Sequence, residues 1–280
     1  MLFPTGKQHV SYSEVKLWKE CSYRHKLAYV DKLQVYEDNP YADFGTAVHN
    51  AIENYLLSKT MDIEKCTEDI QTAWDQKNYR GEEYLEKMAN QKWYKDLPVE
   101  TWQNYAKVVL DKFPAWMDEA FPNWEIVSAE YALYENIENS EINFKGFVDC
   151  LIKCDPPRGK TPIYWVIDWK TTGPAGWMYK KKRDFLALAQ VGLYKKYISK
   201  KLNIPIKDIR CAYVFLKRGA KPEKCIEKFT VSVGPKFITK ADKMVYSMIK
   251  SVENGISLRN YNSCKFCPFS NSEHCNGQSW

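Results

Sequence analysis

The sequence predicts an α/β protein: a mixed β-sheet core flanked by helices, with a helical N-terminal part and a C-terminal cysteine cap. Three observations predict it. Helix-like stretches dominate residues 1–122, and strand-like runs gather between 123 and 235. An amphipathic stretch at 184–201 separates two sets of strands, as a crossover between parallel strands does. The expected organisation is a single domain over 1–280: a mostly helical part at 1–122, the sheet core at 123–235, and a last helix with a cysteine cluster at 236–280.

Hydrophobic residues make up 45% and aromatics 15% of the 280 residues, which allows a sizeable core and argues against disorder. No apolar run reaches membrane-spanning length, and residues 1–10 lack the apolar centre of a secretory signal. The expectation is a soluble, cytoplasmic protein with no membrane partner. The net charge of +6 is compatible with a polyanionic partner without requiring one. The nine cysteines, an odd count, fit a reducing compartment better than a disulfide framework. Five of them, Cys66, Cys150, Cys154, Cys211 and Cys225, are scattered and read as core or surface thiols.

In chain order, Ser11-Tyr12-Ser13-Glu14 has the form of a capping box that opens a helix, with Val15, Trp18 and Tyr23 as core positions. A basic-aromatic mix follows at 21–29. A second helix spans 44–59, where Gly45, His49, Ile52, Glu53 and Leu56 share a face. A lone helical histidine is ordinarily structural, although Gly45 one turn earlier would let other backbone approach it. Helices follow at 63–76 and 101–121, joined by a charged, solvated stretch at 78–90. A strand at 124–134 carries Glu130, most simply facing solvent.

The strand at 143–153 reads as apolar on both faces, Phe147 and Leu151 on one, Val148 and Ile152 on the other, and carries Asp149. Pro156-Pro157-Arg158-Gly159 is turn chemistry. The strand at 163–169 runs into Asp168-Trp169-Lys170. A Gly173-Pro174 turn, the basic run Lys180-Lys181-Lys182-Arg183 and the helix at 184–201 come next. Strands at 210–216 and 225–233 and a helix at 236–254, closed by Gly255, complete the chain.

Residues two apart in a strand point to the same side, so Asp168 and Lys170 share a face, and Asp149 joins them if the two strands pair. Two carboxylates and an ammonium are costly to bury without a partner. A hard divalent cation, Mg²⁺ or Mn²⁺, would neutralise the carboxylates. Lys170 could then stabilise the charge that develops in phosphodiester hydrolysis. Taken alone, an Asp-x-Lys at a strand end is common and reads equally as a strand running into solvent.

Four motifs in order, Gly45-x-x-x-His49, Gly146-Phe147-Val148-Asp149, Asp168-Trp169-Lys170-Thr171 and Gln190-x-x-x-Tyr194, resemble the RecB-type branch of the PD-(D/E)XK nucleases. The resemblance spans 11–275 and implies a restriction-endonuclease-like core. By position it implies His49, Asp149, Asp168 and the backbone carbonyl of Trp169 as metal ligands, and Lys170 as the catalytic lysine. Gln190 and Tyr194 would sit beside the site and position the lysine or the DNA strand. Some members, similar to CRISPR-associated adaptation exonucleases and phage exonucleases, hold a [4Fe-4S] cluster with one N-terminal and three C-terminal cysteines. Cys21, Cys264, Cys267 and Cys275 fall in those places, and four thiolates suit such a cluster. The seven residues between Cys267 and Cys275 exceed the family's usual spacing. A structural Zn²⁺ held by Cys264, Cys267 and Cys275 with Cys21 or His274 is the alternative.

The resemblance implies a metal-dependent deoxyribonuclease, an exonuclease on single-stranded DNA or DNA ends, serving recombination, repair or DNA processing in a bacterial or phage-infected cell. No G-x-x-x-x-G-K-[ST] loop is present, so ATP-driven unwinding would come from a helicase or recombination partner. The alternative is an inactive DNA-binding or scaffold protein with a nuclease-like fold. Such proteins usually lose an acidic residue or the lysine, and this chain keeps both.

Overall fold

The structure, a computed structural model, describes residues 3–33, 38–89, 94–155 and 161–276. The turn expected at 156–159 lies outside them.

Strand β1 (His9–Ser11) runs directly into helix α1 (Tyr12–Glu20), where the Ser11 hydroxyl accepts from the Glu14 N–H. Cys21 ends α1, and α2 (Ser22–His25) and one π turn (Lys26–Val30) follow. Glu14 and His25, each 1% exposed, are joined side chain to side chain at 3.0 Å and lock α1 to α2. Helices α3 (Pro40–Ser58), α4 (Ile63–Gln76), α5 (Glu82–Met88) and α6 (Val99–Ala120) complete the helical part. The Asn39 and Asp62 side chains cap the N-termini of α3 and α4. Helix α5 corrects the expected solvated stretch. Tyr79 and Met88 are buried around it, and the Tyr79 hydroxyl donates to Asp43 of α3.

The sheet comprises β1, β2 (Trp124–Asn136), β3 (Asn143–Cys154), β4 (Ile163–Thr172), β5 (Ile209–Lys217) and β6 (Ile226–Val231). Helices α7 (Tyr179–Lys182) and α8 (Phe185–Leu202) connect the parallel strands β4 and β5, and β6 pairs antiparallel with β5. Helix α9 (Pro235–Glu253) follows, with Gly255 at φ +67 just beyond it.

The pairing of β3 positions the site. Strand β2 covers one edge of β3 over its whole length. The other edge is divided: β1 pairs in parallel with residues 143–145, and β4 pairs antiparallel with 150–154. Residues 146–149 therefore have no strand beside them on that edge. The long β2–β3 ladder is irregular, with a bulge between Ile126 and Ser128 and Glu130 in the left-handed region at φ +51. The two strands change face there. Ala129 and Cys150 pack toward α3, α4 and α6, whereas Tyr131 and Val148, only two residues away, pack toward α8 and α9.

Two hydrophobic cores result, one on each side of the sheet. The change of face overturns one expectation: Phe147 is not a core residue but 45% exposed, while Cys150, Leu151 and Ile152 are all fully buried.

Candidate active site

Asp149 stands in the uncovered stretch of β3. Its carboxylate reaches across to β4 and accepts the Trp169 N–H at 2.8 Å, in place of a ladder hydrogen bond that ends two residues earlier at Ile167. Asp168, the neighbour of that amide, is 1% exposed, and no backbone or neutral side chain among the described residues hydrogen-bonds its carboxylate. Its compensation is ionic: the Lys170 ammonium pairs with its Oδ2 from the same face of β4, which leaves Oδ1 without any partner among the described residues. Two acids and a lysine thus meet at the mouth of the β3–β4 pair.

Helix α3 brings His49 to the same place, with Nδ1 3.9 Å from the Asp149 carboxylate. Gly45 is what lets the helix in. A Cβ there would lie 3.0 Å from the Thr171 Oγ1, so the close approach is by a β4 side chain, not by backbone as the sequence suggested. Burial first, and then the nearby charge of Glu130, raise the pKa of Glu53, one turn after His49. From α8, Gln190 donates to the Tyr194 hydroxyl at 3.2 Å. The Tyr194 ring packs on Gly146, where a Cβ would sit 2.7 Å from it and force it away. The structure therefore gathers His49, Asp149, Asp168, Trp169, Lys170, Gln190 and Tyr194 around one centre.

Burial dominates the electrostatics. It pushes the Asp168 pKa up to about 6, with the Asp149 charge adding to the rise and Lys170 opposing it. Asp149 is likewise raised to about 6 by burial, against Lys170 and the Trp169 N–H. Burial lowers the His49 pKa to about 4, so the imidazole is neutral at physiological pH and its nitrogens are free to act as ligands. Burial also works against the Lys170 ammonium, but the two carboxylates outweigh it and hold its pKa above the ordinary value.

This donor set suits a hard divalent cation: buried carboxylate oxygens with unused lone pairs, a second carboxylate and a neutral imidazole. The geometry is not closed around an ion, however. Among the described residues, no three His, Cys, Asp or Glu side chains converge closely enough to hold a metal.

The second predicted cluster is assembled at the chain ends. Cys21, Cys264, Cys267 and Cys275 all line one small cavity, together with Tyr23, Arg24 and Arg259. The two ends are fastened by backbone and side chain: the Tyr23 N–H donates to the Leu258 carbonyl at 3.1 Å, and the Ser263 hydroxyl to the Glu20 carbonyl at 2.8 Å. Cys275 has a raised pKa, chiefly from burial, with Cys267, Cys264 and Cys21 adding to the rise. Four thiols on one cavity have the chemistry of a thiolate-held metal centre, without its ligand geometry. His274, the other candidate zinc ligand, does not line the cavity; its ring meets Glu273 at 3.4 Å.

Sequence reading missed several neighbours of the centre. Tyr12 donates to the Leu186 carbonyl, and Tyr213 to the Ala187 carbonyl at 2.6 Å. Both rings lie close enough to Asp168 for its charge to raise their pKa values, after burial. Tyr213 was legible only as an apolar strand residue. Its register opposite Asp168 follows from the parallel β4–β5 pairing, which a single sequence does not specify.

Comparison with known proteins adds family to geometry. No curated protein matches the chain. A crystal structure described as a "putative exonuclease" from Eubacterium rectale aligns with a TM-score of 0.52 at 11% identity, covering 93% of this chain and 86% of its own, a likeness of fold alone. The crystal structure of SSO0001 covers 92% of this chain and 93% of its own at 15% identity, with a TM-score of 0.34. Among the described residues no helix is long and apolar enough to cross a membrane. The PD-(D/E)XK nuclease superfamily model matches residues 9–272, nearly the whole chain and both halves of the centre described above, so the protein belongs to that superfamily.

Proposed function

We propose that this protein is a divalent-metal-dependent deoxyribonuclease that hydrolyses phosphodiester bonds as an exonuclease on single-stranded or end-containing DNA. The observation that carries the reading is Asp168, a carboxylate 1% exposed whose only partner among the described residues is the Lys170 ammonium, set beside the second carboxylate of Asp149 in a nuclease-family chain. A fold that needed only stability would not keep such a group.

His49, Asp149, Asp168 and the Trp169 carbonyl would hold Mg²⁺ or Mn²⁺, whose contribution when bound is Lewis-acid stabilisation of charge at the scissile phosphate. Lys170, kept protonated by its two acidic neighbours, donates to a non-bridging or leaving oxygen as charge develops there. Gln190 and Tyr194, hydrogen-bonded to each other on α8, form one wall beside the lysine and fix how the strand lies against it. The Trp169 N–H holds the Asp149 carboxylate in a single orientation.

At the chain ends, Cys21, Cys264, Cys267 and Cys275 would hold a [4Fe-4S] cluster, with a single Zn²⁺ as the alternative occupant. Its role is structural, tying α1 and α2 to the segment after α9. Recombination, repair or related DNA processing is the proposed setting, with unwinding supplied by a partner.

The test is anaerobic purification followed by incubation with end-labelled single- and double-stranded DNA in Mg²⁺, Mn²⁺ or EDTA, with Lys170→Ala alongside. Metal-dependent degradation lost in the variant is the expected result, and the product ladder gives polarity. Absence of cleavage with every substrate and metal contradicts the reading. A brown sample with broad visible absorption supports the cluster; a colourless sample containing zinc replaces it.

A further inference from the structure

Beside the centre runs a groove of about 870 Å³ that nothing in the nuclease chemistry itself requires. One wall is α1, the other is the segment between β4 and α8, and Lys170 lies in its lining. Four cations face it: Lys16, Arg24, Lys170 and Lys181. The two acids in the lining are already engaged. Glu20 pairs with Lys16 at 3.8 Å, and Asp184 accepts the Ala187 N–H at 2.8 Å as the cap of α8. The groove thus carries a surplus of positive charge.

The ammonium groups are also crowded. Lys181 sits 4.5 Å over the Trp177 ring, whose indole packs in turn on Tyr213 and Phe215 at 4.7 and 5.1 Å. Burial first, then the charges of Lys16 and Lys170, hold the Lys181 pKa below its ordinary value. Asp184 opposes this without reversing it, and cations outnumber acids in the lining, so an anionic ligand would be stabilised here. The basic run 180–183 is therefore not one uniform solvated loop. Lys182 is spent on an ion pair with Glu227 at 2.5 Å, and Arg183 donates to the Tyr179 hydroxyl at 2.6 Å, while Lys181 faces the groove.

We infer that this groove is the track for a single DNA strand, with Lys16, Arg24 and Lys181 contacting successive phosphates and Trp177 positioning Lys181. The inference rests on the nuclease reading and narrows its substrate. A single strand fits because the reacting groups are recessed: Asp168 is 1% and Lys170 32% exposed, and a stiff duplex cannot bend its backbone onto them as a flexible strand can. Arg24 also lines the cysteine cavity, so the track leads from Lys170 toward the cap that joins the chain ends.

The test is equilibrium binding in EDTA, so that no cleavage enters, using a short fluorescent oligothymidine and a blunt hairpin duplex across a salt series. Proteins compared are wild type, Lys16→Ala/Lys181→Ala, Trp177→Ala, and Lys207→Ala/Lys236→Ala as two exposed lysines outside the groove. The groove pair should weaken single-strand binding about tenfold and lower the magnitude of the salt slope by about 1.4, at roughly 0.7 for each phosphate no longer neutralised. Trp177→Ala should give about half that slope change, because it releases one lysine. The control pair should leave the slope unchanged, and the duplex should bind more weakly than the single strand. Equal losses in groove and control pairs, preferential duplex binding, or no binding by wild type each overturn the inference. Hydrolysis of bis(p-nitrophenyl) phosphate, a diester too small to span the groove, separates the two readings. If wild type and groove variants all turn it over, the nuclease reading stands whatever the binding shows. If none does while the groove binds as expected, the track stands and the nuclease reading falls.

Discussion

The acidic centre and the cysteine cavity are both built from residues distant in the chain, but they are held in place by different means. The acidic centre rests on strands. Asp149 is fixed by the Trp169 N–H, Asp168 is fully buried, and Gly146 and Gly45 let α8 and α3 close on it from two sides. The cysteine cavity rests on helix ends and short 3₁₀ turns, its four thiols are all partly exposed, and the chain ends around it are joined by one backbone hydrogen bond and several from the Ser22, Asn260 and Ser263 side chains. The first is organised before any ligand arrives. The second gathers its donors but leaves the closing of the chain ends to whatever the thiols bind. On the function proposed above, catalytic positioning and mechanical fastening fall to different parts of the fold, and substitutions should separate them.

The largest effect should come at the acidic centre. Asp168→Asn should cut metal-dependent DNA cleavage by about a thousandfold while leaving the circular dichroism spectrum and melting cooperativity intact. A variant that unfolds would instead make Asp168 part of the scaffold. Next comes the cap. Cys267→Ser should remove the visible absorption of a bound cluster and lower the melting temperature by on the order of 10 °C, with cleavage at low temperature reduced far less than in Asp168→Asn. If cleavage fell as far, the two sites would not be separate.

The buried Glu14–His25 pair that ties α1 to α2 gives the third effect. His25→Ala leaves the Glu14 carboxylate buried and unpaired and should cost about 3 kcal/mol in urea unfolding. Gly146→Ala should cost roughly 1–3 kcal/mol through collision with Tyr194, and lower cleavage through the displaced ring.

The smallest effect is on pH. Asp149 and Asp168 bind protons more tightly in the folded chain, near pH 6, than at the ordinary carboxylate value of 3.8. Their contribution to stability is therefore fully present below about pH 4 and is lost as pH rises through about 6. With EDTA present, the melting temperature should fall over that window, and Asp168→Asn should flatten the fall.

The grouping of the centre's side chains was legible in the sequence because its motifs depend on local periodicity. Asp168 and Lys170 share a face of β4 by the two-residue repeat of any strand, and Gln190 and Tyr194 share a face of α8 by its four-residue spacing. Helix α4 begins and ends where its pattern says, since Asp62 caps it and its apolar stripe is unbroken. What escaped depends on long-range pairing. Phe147 reads as core only if the alternation along β3 is unbroken, and the face change at Glu130 and Asp149 breaks it. Strand β1 is only three residues long and gains its identity from pairing with β3 more than a hundred residues later. Helix α5 was hidden because its sequence is charged and only Tyr79 and Met88 mark the buried side. The groove cations come from α1 and from the segment after β4, and only the fold shows that they face one another.

The most direct test of the central claim is Mn²⁺ binding near neutral pH by wild type, Asp168→Asn and Lys170→Ala, with DNA cleavage measured on the same samples. Wild type should bind Mn²⁺ and cut, Asp168→Asn should neither bind nor cut, and Lys170→Ala should bind without cutting. An Asp168→Asn protein that bound Mn²⁺ as tightly as wild type and cut as fast would contradict that claim.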